Sequence, residues 1–337
     1  MNYQEFLNYV VENLPNLMNE MEQERHSKDK SEESPVINYA AHLHTITKNN
    51  GITLDGVTLL NEGASVGPNI YLNSFYDSYQ LGKPIHTIME EIIECHNRAI
   101  EENRFEVVDV CDFQAIKEHI VVRLVNYEKN QSQLETCPHK RYLDFAVTFR
   151  YLVNKDTVGL ASSLIQNKEF EQWNISIDEL YNIALFNTMR EFPWHTESLT
   201  RVVFDCLAEC LPSHNTEEIK EHMEELNQVE EKIPMYVLTN DVGLNGATCL
   251  LYDNVIRNFS IVHDSNLYIL PSSVHEVILV LETEDTNTDV LQEIVIDANC
   301  SAVGLIDLLS DNIYYYDRAS DQISICRNVV DKAESIQ

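Results

Sequence analysis

Apolar positions recur with helical spacing in several segments of this 337-residue chain. Near the N-terminus the spacing predicts an amphipathic helix that stops before Pro15, within an N-terminal region of residues 1–18. Beyond Pro84 the same periodicity predicts a helix that runs to about Glu102. Ser176 precedes Glu179 by three residues, which is the spacing of a capping box and predicts the start of another helix.

Other segments are rich in Ile, Val, Thr and Tyr and predict strands. Residues 36–72 are interrupted by glycines, which predicts a hairpin or meander, and residues 142–152 with 158–165 predict a second hairpin. Two helices, over residues 195–211 and 216–232, are expected to lead into a C-terminal module. That module is predicted to contain strands over residues 235–239, 247–252, 267–270 and 274–281, helices over 253–262 and 288–299, and a hairpin over 313–325.

Runs of strands between helices, rather than strict alternation, favour the α+β class. We expect a mixed, largely antiparallel sheet with packed helices, shared by both C-terminal strand groups, plus a smaller N-terminal α+β region. Residues 27–34 lack any apolar side chain, so residues 19–35 are expected to form a mobile acidic linker. The remaining domains are predicted over residues 36–130 and 140–327, with a helical insertion over 195–232.

Short stretches along most of the chain resemble a bacterial family known only as domain of unknown function 5688. They are Asn2-Tyr-Gln-Glu-Phe-Leu7, Asn50-Gly-Ile-Thr-Leu54, Pro68-Asn-Ile-Tyr-Leu72, Met235-Tyr-Val-Leu-Thr239, Asn245-Gly-Ala247 and Leu309-Ser-Asp-Asn-Ile-Tyr-Tyr-Tyr-Asp-Arg318. The resemblance implies a fold. It brings no known reaction and no catalytic residues.

The chain carries 55 acidic and 23 basic side chains, a formal net charge of -32. Phosphate backbones and anionic membranes would be repelled, so neither direct nucleic-acid binding nor membrane binding is expected. An acidic nucleic-acid mimic that binds a basic partner protein is an alternative. Its carboxylates would be concentrated, whereas here they are spread along the chain with modest clusters at residues 20–33, 217–231 and 282–289.

No apolar run reaches the ~20 residues that span a bilayer, and no secretory signal pattern opens the chain. The sequence therefore predicts a cytoplasmic protein. In that compartment the eight cysteines are expected to be reduced thiols that are mostly buried.

Candidate chemistry is sparse. Ser273 and His275 would share one face of a strand, and Asp241 could supply an acid, so a hydrolase-like enzyme using these residues is one alternative. Glu276 would lie on the opposite face, and no Gly-x-Ser-x-Gly word or phosphate-binding glycine loop is present. A turn leading into a core strand explains Ser273 and His275 equally well and is favoured.

Cys206, Cys210 and His214 recur every four residues, a spacing that could align zinc ligands on one helix. Pro212 interrupts that helix, and no fourth ligand is evident, so neither a metal nor any other cofactor is predicted. Asn240, Asp241, Asn245 and Gly246 follow a predicted strand and form either a plain turn, which is favoured, or a ligand-binding loop.

The absence of a complete catalytic set in a chain with ample apolar residues favours a non-enzymatic interaction or regulatory module. A protein partner is expected. The enzyme and the nucleic-acid mimic remain the alternatives, and the oligomeric state does not follow from the sequence.

Overall fold

The computed structural model describes residues 1–28, 38–61, 67–102, 110–155, 160–210, 224, 227–228, 230–271 and 273–326. The chain divides into two compact units, Met1–Val107 and Val108–Gln337. The strand Ile120–Asn126 pairs within the second unit, so residues 110–130 fold with the C-terminal part of the chain and not with the N-terminal domain predicted over residues 36–130.

The first unit packs helices against one antiparallel sheet. Its strands form a meander in the order β1, β2, β3, as the sequence predicts. The elements are α1 (Tyr3–Lys28), β1 (Tyr39–Thr47), β2 (Thr53–Asn61), β3 (Asn69–Tyr71), α2 (Asn73–Gln80) and α3 (Ile85–Glu102), with a 3-10 turn at Asn49–Gly51. The core of the unit includes Val57 and Leu59 of β2 and Ile88 and Ile92 of α3.

Helix α1 continues through Pro15, so the predicted stop before that proline is wrong. Phe6, Val10, Leu14 and Met18 recur every four residues, and all are buried. The apolar stripe therefore extends beyond the proline, and its burial offsets the backbone hydrogen bond that a proline cannot donate. Residues 19–28 of the predicted linker belong to α1, and residues 29–35 lie outside the described part of the chain.

The second unit contains a four-stranded antiparallel sheet centred on the long strand β6. One edge of β6 pairs with β4, and the other pairs with β5 and then β7, which confirms the predicted hairpin. The elements are α4 (Phe113–Ile116), β4 (Ile120–Asn126), α5 (Gln131–Leu134), β5 (His139–Tyr142), β6 (Phe145–Lys155), β7 (Leu160–Leu164), α6 (Asn167–Trp173) and α7 (Ile177–Glu191), with 3-10 turns at Lys117–His119 and Glu128–Asn130. Ser176 Oγ accepts a hydrogen bond from Glu179 N and caps α7, as predicted.

A separate six-stranded antiparallel sheet follows in the order β13-β12-β10-β11-β9-β8. The expectation of one shared sheet is therefore wrong, although both sheets contribute to one apolar core. The elements are β8 (Trp194–Ser198), α8 (Leu199–Cys210), β9 (Met235–Asn240), a 3-10 helix (Gly246–Leu251), α9 (Val255–His263), β10 (Leu267–Leu270), β11 (Val277–Leu281), α10 (Thr288–Ser301), β12 (Tyr314–Asp317) and β13 (Gln322–Ile325). Helices α9 and α10 pack on opposite faces of this sheet.

Two local predictions in this region are wrong. Residues 194–198 form an edge strand paired with β9, and the helix begins only at Leu199, where Ser198 Oγ accepts a hydrogen bond from Arg201 N. Residues 246–251 form a buried 3-10 helix rather than a strand, because both edges of the preceding β9 are already paired, with β8 and with β11. Most of the predicted helix over residues 216–232 lies outside the described residues.

The α+β class is confirmed, with antiparallel strands in every sheet described. The expectation that the cysteines are mostly buried is wrong: Cys137 and Cys249 are buried, whereas Cys111, Cys206 and Cys300 are exposed. None of the helices within the described ranges is both long and apolar enough to cross a membrane.

Candidate functional site

Two arginines lie on one face of the four-stranded sheet. Arg123 of β4 is directly opposite Thr148 of β6, and Arg150 follows Thr148 by two residues, so all three side chains project from the same face. Small apolar clusters flank them on that face, one containing Val125 and the other Val121. The opposite face of the sheet is apolar and contributes Phe145, Val147 and Phe149 to the main core.

A small cavity of about 20 Å³ lies against the two guanidinium groups. Arg123, Arg150 and Ser162 line it from the sheet, and Asn240, Asn245 and Thr248 line it from the end of β9 and the chain that follows. The remaining walls include apolar side chains, among them Phe192 and Leu244. The cavity is therefore polar at the arginines and partly apolar elsewhere.

The polar atoms around the cavity differ in how they are hydrogen-bonded. Arg150 donates from Nε to Ser162 Oγ over 2.8 Å and from Nη2 to Ser162 O over 2.9 Å. In contrast, Arg123 Nε and Thr248 Oγ1 are shielded from solvent and have no hydrogen-bond partner among the described residues. Thr248 is only 2% exposed. A buried donor without a partner ordinarily costs about 1 to 3 kcal/mol, so these two atoms require an explanation.

The two positive charges are poorly compensated. Burial and, to a lesser extent, the neighbouring Arg123 lower the pKa of Arg150 to about 10, although Cys137 has the opposite effect. Burial also lowers the pKa of Arg123, and Asp307 partly restores it. Within the described part of the chain, no carboxylate forms an ion pair with either arginine. The site therefore has an excess of positive charge inside a strongly acidic protein.

The loop after β9 forms one wall of the cavity in a fixed conformation. The buried Asn240 donates from Nδ2 to Leu244 O over 2.9 Å and accepts from Val242 N over 3.1 Å, which closes the loop on itself. Asn245 adopts the left-handed conformation, with φ of 55°. A side chain on Gly246 would overlap with Thr239 Oγ1 and with the carbonyl oxygen of His275, so glycine is required there. This loop is thus a rigid wall.

His275 lies behind this wall and supports it. Its Nδ1 accepts a hydrogen bond from Asn245 N over 3.3 Å, and its Nε2 lies 3.2 Å from Asp307 Oδ1. An imidazole that accepts at one nitrogen and donates at the other is neutral. Asp307 also interacts electrostatically with Arg123. The chain of contacts from Asn245 through His275 and Asp307 therefore connects the loop wall to the arginine.

The proposed nucleophile is placed near His275 but is not hydrogen-bonded to the imidazole. Ser273 Oγ accepts from the backbone N–H of His275 over 2.9 Å, and the side chain is buried. Asp241 is exposed, its backbone N–H donates to Pro193 O, and none of its described hydrogen bonds reaches His275. Ser273 and His275 therefore lie close together, but the polar atoms of both side chains have hydrogen-bonding partners elsewhere in the fold.

The predicted metal ligands are not brought together by the described residues. Cys206 is exposed on α8, while His214 and the side chain of Cys210 lie outside what the structure describes. Within the described ranges, no group of three or more His, Cys, Asp or Glu side chains is arranged to hold a metal ion.

Sequence analysis missed both arginines of the cavity. Arg123 interrupts the apolar run Ile120-Val-Val-Arg-Leu-Val125, and an arginine inside such a strand is seldom buried without a partner. An arginine within this apolar run was therefore the one sequence feature that could have indicated a buried charge. The sequence around Arg150 has no such feature. Its position beside Arg123 depends on how β4 and β6 pair, which the sequence does not show.

A family model describes sequences of this type over nearly the whole chain. It is the model of a family of unknown function, DUF5688, and it matches residues 3–318. The chain belongs to this family. The matched range includes both units of this DUF5688 protein and every residue of the arginine cavity, so the cavity is part of the fold that the family model covers. No curated protein and no solved structure matches the chain.

Proposed function

We propose that this DUF5688 protein is a non-enzymatic regulatory module whose second unit binds a small anion in the cavity between Arg123 and Arg150. The observation that carries the proposal is the pair of shielded, unpartnered polar atoms, Arg123 Nε and Thr248 Oγ1, at a cavity with an excess of positive charge. An anion would accept from both and offset the repulsion between the guanidinium groups.

The energetic cost of burying the two arginines supports this role. Removing a charged group from water costs several kcal/mol unless a counter-charge or hydrogen bonds compensate. Folded proteins tolerate such costs chiefly at functional sites, where a ligand supplies the missing partner. Two hydrogen bonds to Ser162 hold the Arg150 guanidinium in place, and the pairing of β4 with β6 fixes the backbone at Arg123. The cavity is therefore preorganised.

The arrangement around His275 favours binding over catalysis. Both imidazole nitrogens have partners in the fold, so neither is available to take a proton from Ser273. Ser273 in turn uses its oxygen to accept from a backbone N–H. Under the proposal these residues position Asn245 and Asp307. A protein partner that responds to occupancy of the cavity remains part of the proposal, as expected from the sequence.

Anion binding can be tested with the full chain at constant ionic strength, maintained with a bulky sulfonate too large for the cavity. Thermal unfolding is followed while formate, acetate, chloride, nitrate, phosphate or sulfate is added. At least one small anion should raise the melting temperature, because ligands that bind only the folded state stabilise it. Arg123→Met should abolish the rise. The matched control is Arg201→Met, since Arg201 is exposed on α8 and pairs with Asp205.

Two outcomes would overturn anion binding. One is the absence of any anion-dependent rise in the wild-type protein at concentrations up to about 100 times the Kd expected for a millimolar site. The other is an equal loss of the rise in Arg123→Met and Arg201→Met, which would indicate general charge screening.

The non-enzymatic part of the proposal has a separate test. A fluorophosphonate probe should not label Ser273, and Ser273→Ala should destabilise the fold only by about 0.5 to 1.5 kcal/mol, the usual contribution of one hydrogen bond. Labelling that disappears in both Ser273→Ala and His275→Ala would identify the protein as a hydrolase.

A further inference from the structure

We infer that the anion recognised at the arginine cavity is the carboxylate of a small, singly charged ligand. This inference rests on the proposed anion binding and specifies its chemistry. Three independent properties of the cavity support it: its charge, its size and the geometry of its free donors.

The charge around the cavity matches a monoanion. Arg123 and Arg150 contribute two positive charges, and Asp307, which acts on Arg123, contributes one negative charge. His275 accepts at Nδ1 and is therefore neutral, and Cys137 keeps its proton because burial raises the pKa of its thiol to about 11. One positive charge remains. A monoanion neutralises it, whereas a dianion would add a buried negative charge to a chain that already carries -32.

The size of the cavity limits the group that enters it. A cavity of about 20 Å³ admits only a small ligand. A carboxylate presents two oxygens in one plane. Phosphate and sulfate are larger and present four oxygens in a tetrahedron.

The free donors suit two coplanar oxygens. Arg150 already directs Nε and Nη2 to Ser162, whereas Arg123 Nε and the Thr248 hydroxyl have no partner among the described residues. A carboxylate offers two oxygens, one to accept from each of these donors. The apolar walls at Phe192 and Leu244 would then contact a short aliphatic chain attached to the carboxylate.

The test compares ligands of matched shape and different charge by NMR, following the Nε–Hε signals of Arg123 and Arg150, which are assigned from Arg123→Met and Arg150→Met. Acetate, acetamide, sulfate and phosphate are titrated into the full chain at pH 7.5. Acetate should shift the arginine signals in a saturable manner. Acetamide, its neutral counterpart, and the two tetrahedral ions should bind at least tenfold more weakly. Thr248→Val should weaken acetate binding about five- to tenfold, and Arg201→Met should leave it unchanged.

The possible failures are distinguishable. If sulfate, phosphate or chloride binds more tightly than acetate and Arg123→Met abolishes that binding, the carboxylate inference is overturned and the proposed anion-binding function stands. Equal binding of acetate and acetamide would show that charge is not recognised and would overturn both. Absence of saturable shifts with every anion would likewise overturn both.

Discussion

Two polar clusters lie inside the second unit, and they differ in how completely their hydrogen-bonding atoms are used. In the first, the carboxylate of Asp144 accepts from the hydroxyls of Tyr314 and Ser310 and from Asn312 Nδ2. In the second, at the arginine cavity, Arg123 Nε and Thr248 Oγ1 have no partner among the described residues. The first cluster joins the segment before β12 to the turn between β5 and β6, and the second joins the loop after β9 to β4 and β6.

This difference distinguishes a cluster that stabilises the fold from one that is expected to bind a ligand. A polar network in which every member has a partner stabilises one conformation and leaves nothing for a ligand to contribute. A cluster with unused donors and uncompensated charge destabilises the free protein and gains from a ligand. Substitutions in the Asp144 cluster should therefore lower the stability of the protein and leave anion binding unchanged. Substitutions in the arginine cavity should abolish or weaken binding, and they should leave stability unchanged or raise it.

The largest effect is expected for Asp144→Ala. The substitution leaves the buried Tyr314 and Ser310 hydroxyls and the amide of Asn312 without their common acceptor, and the expected loss is about 3 kcal/mol of unfolding free energy. Urea denaturation measures it. Asp297→Ala, at an exposed site on α10, serves as the control and should change stability by less than about 0.5 kcal/mol. Equal stability of the two variants would show that the Asp144 network is not structural.

Alkaline pH should change stability in opposite directions through the buried tyrosines and through the arginine cavity. Burial raises the pKa of Tyr142 to about 12, and burial together with Asp144 raises the pKa of Tyr314 even more. The folded state then holds protons that the unfolded state releases near pH 10, so stability falls as pH rises above about 10, by roughly 2 kcal/mol for Tyr142 alone. The lowered pKa of Arg150 acts oppositely, because its charged form is penalised in the folded state.

Denaturation between pH 9 and pH 11.5 checks these signs. Tyr314→Phe should show a smaller loss of stability with pH than the wild type, and Arg150→Met should show a larger one. The same pH dependence in all three proteins would mean that neither cluster titrates differently in the folded and unfolded states.

A smaller effect, of opposite sign to the first, is expected for Arg123→Met. Methionine retains much of the apolar stem and removes a desolvated charge, so the unfolding free energy should rise by about 1 kcal/mol in the absence of ligand. The same variant should not respond to anions. A loss of more than about 2 kcal/mol of unfolding free energy would indicate that Arg123 has a stabilising partner. The cavity would then be structural, like the Asp144 cluster.

The smallest effect is expected for Thr248→Val, which replaces a hydroxyl by a methyl group of similar size. Because Oγ1 has no partner in the described structure, stability should change by less than about 0.5 kcal/mol. Ser310→Ala provides the contrast, since that hydroxyl contacts Asp144 and Tyr314, and it should cost about 1 kcal/mol or more. Similar losses in the two variants would remove the distinction between the clusters.

Local sequence patterns determined much of the fold. Helical periodicity identified α3, the cap at Ser176 marked the start of α7, and alternation rich in β-branched residues identified the β1–β3 meander. These elements follow from interactions within a few residues, which a single sequence displays directly. The family resemblance was likewise present in short stretches of sequence, and the family model over residues 3–318 confirms it.

Tertiary packing decided the remaining elements. Helix α1 passes Pro15 because Met18 continues the buried stripe, and residues 246–251 form a 3-10 helix because β9 has no free edge. Neither fact is visible in a local pattern. Each depends on what the rest of the chain places beside the segment.

The residues around the cavity also divide into those that local sequence predicts and those that only tertiary structure brings together. The sequence by itself indicated a turn or a ligand-binding loop at Asn240, Asn245 and Gly246, and it placed His275 close to Ser273. Only the pairing register of β4 with β6, set by residues 27 positions apart, decided that Arg123 and Arg150 share one face, and only the docking of the 246–251 segment brought Thr248 to them. Strand register and packing are long-range properties, and a charge becomes a binding site only when they remove it from water without giving it a partner.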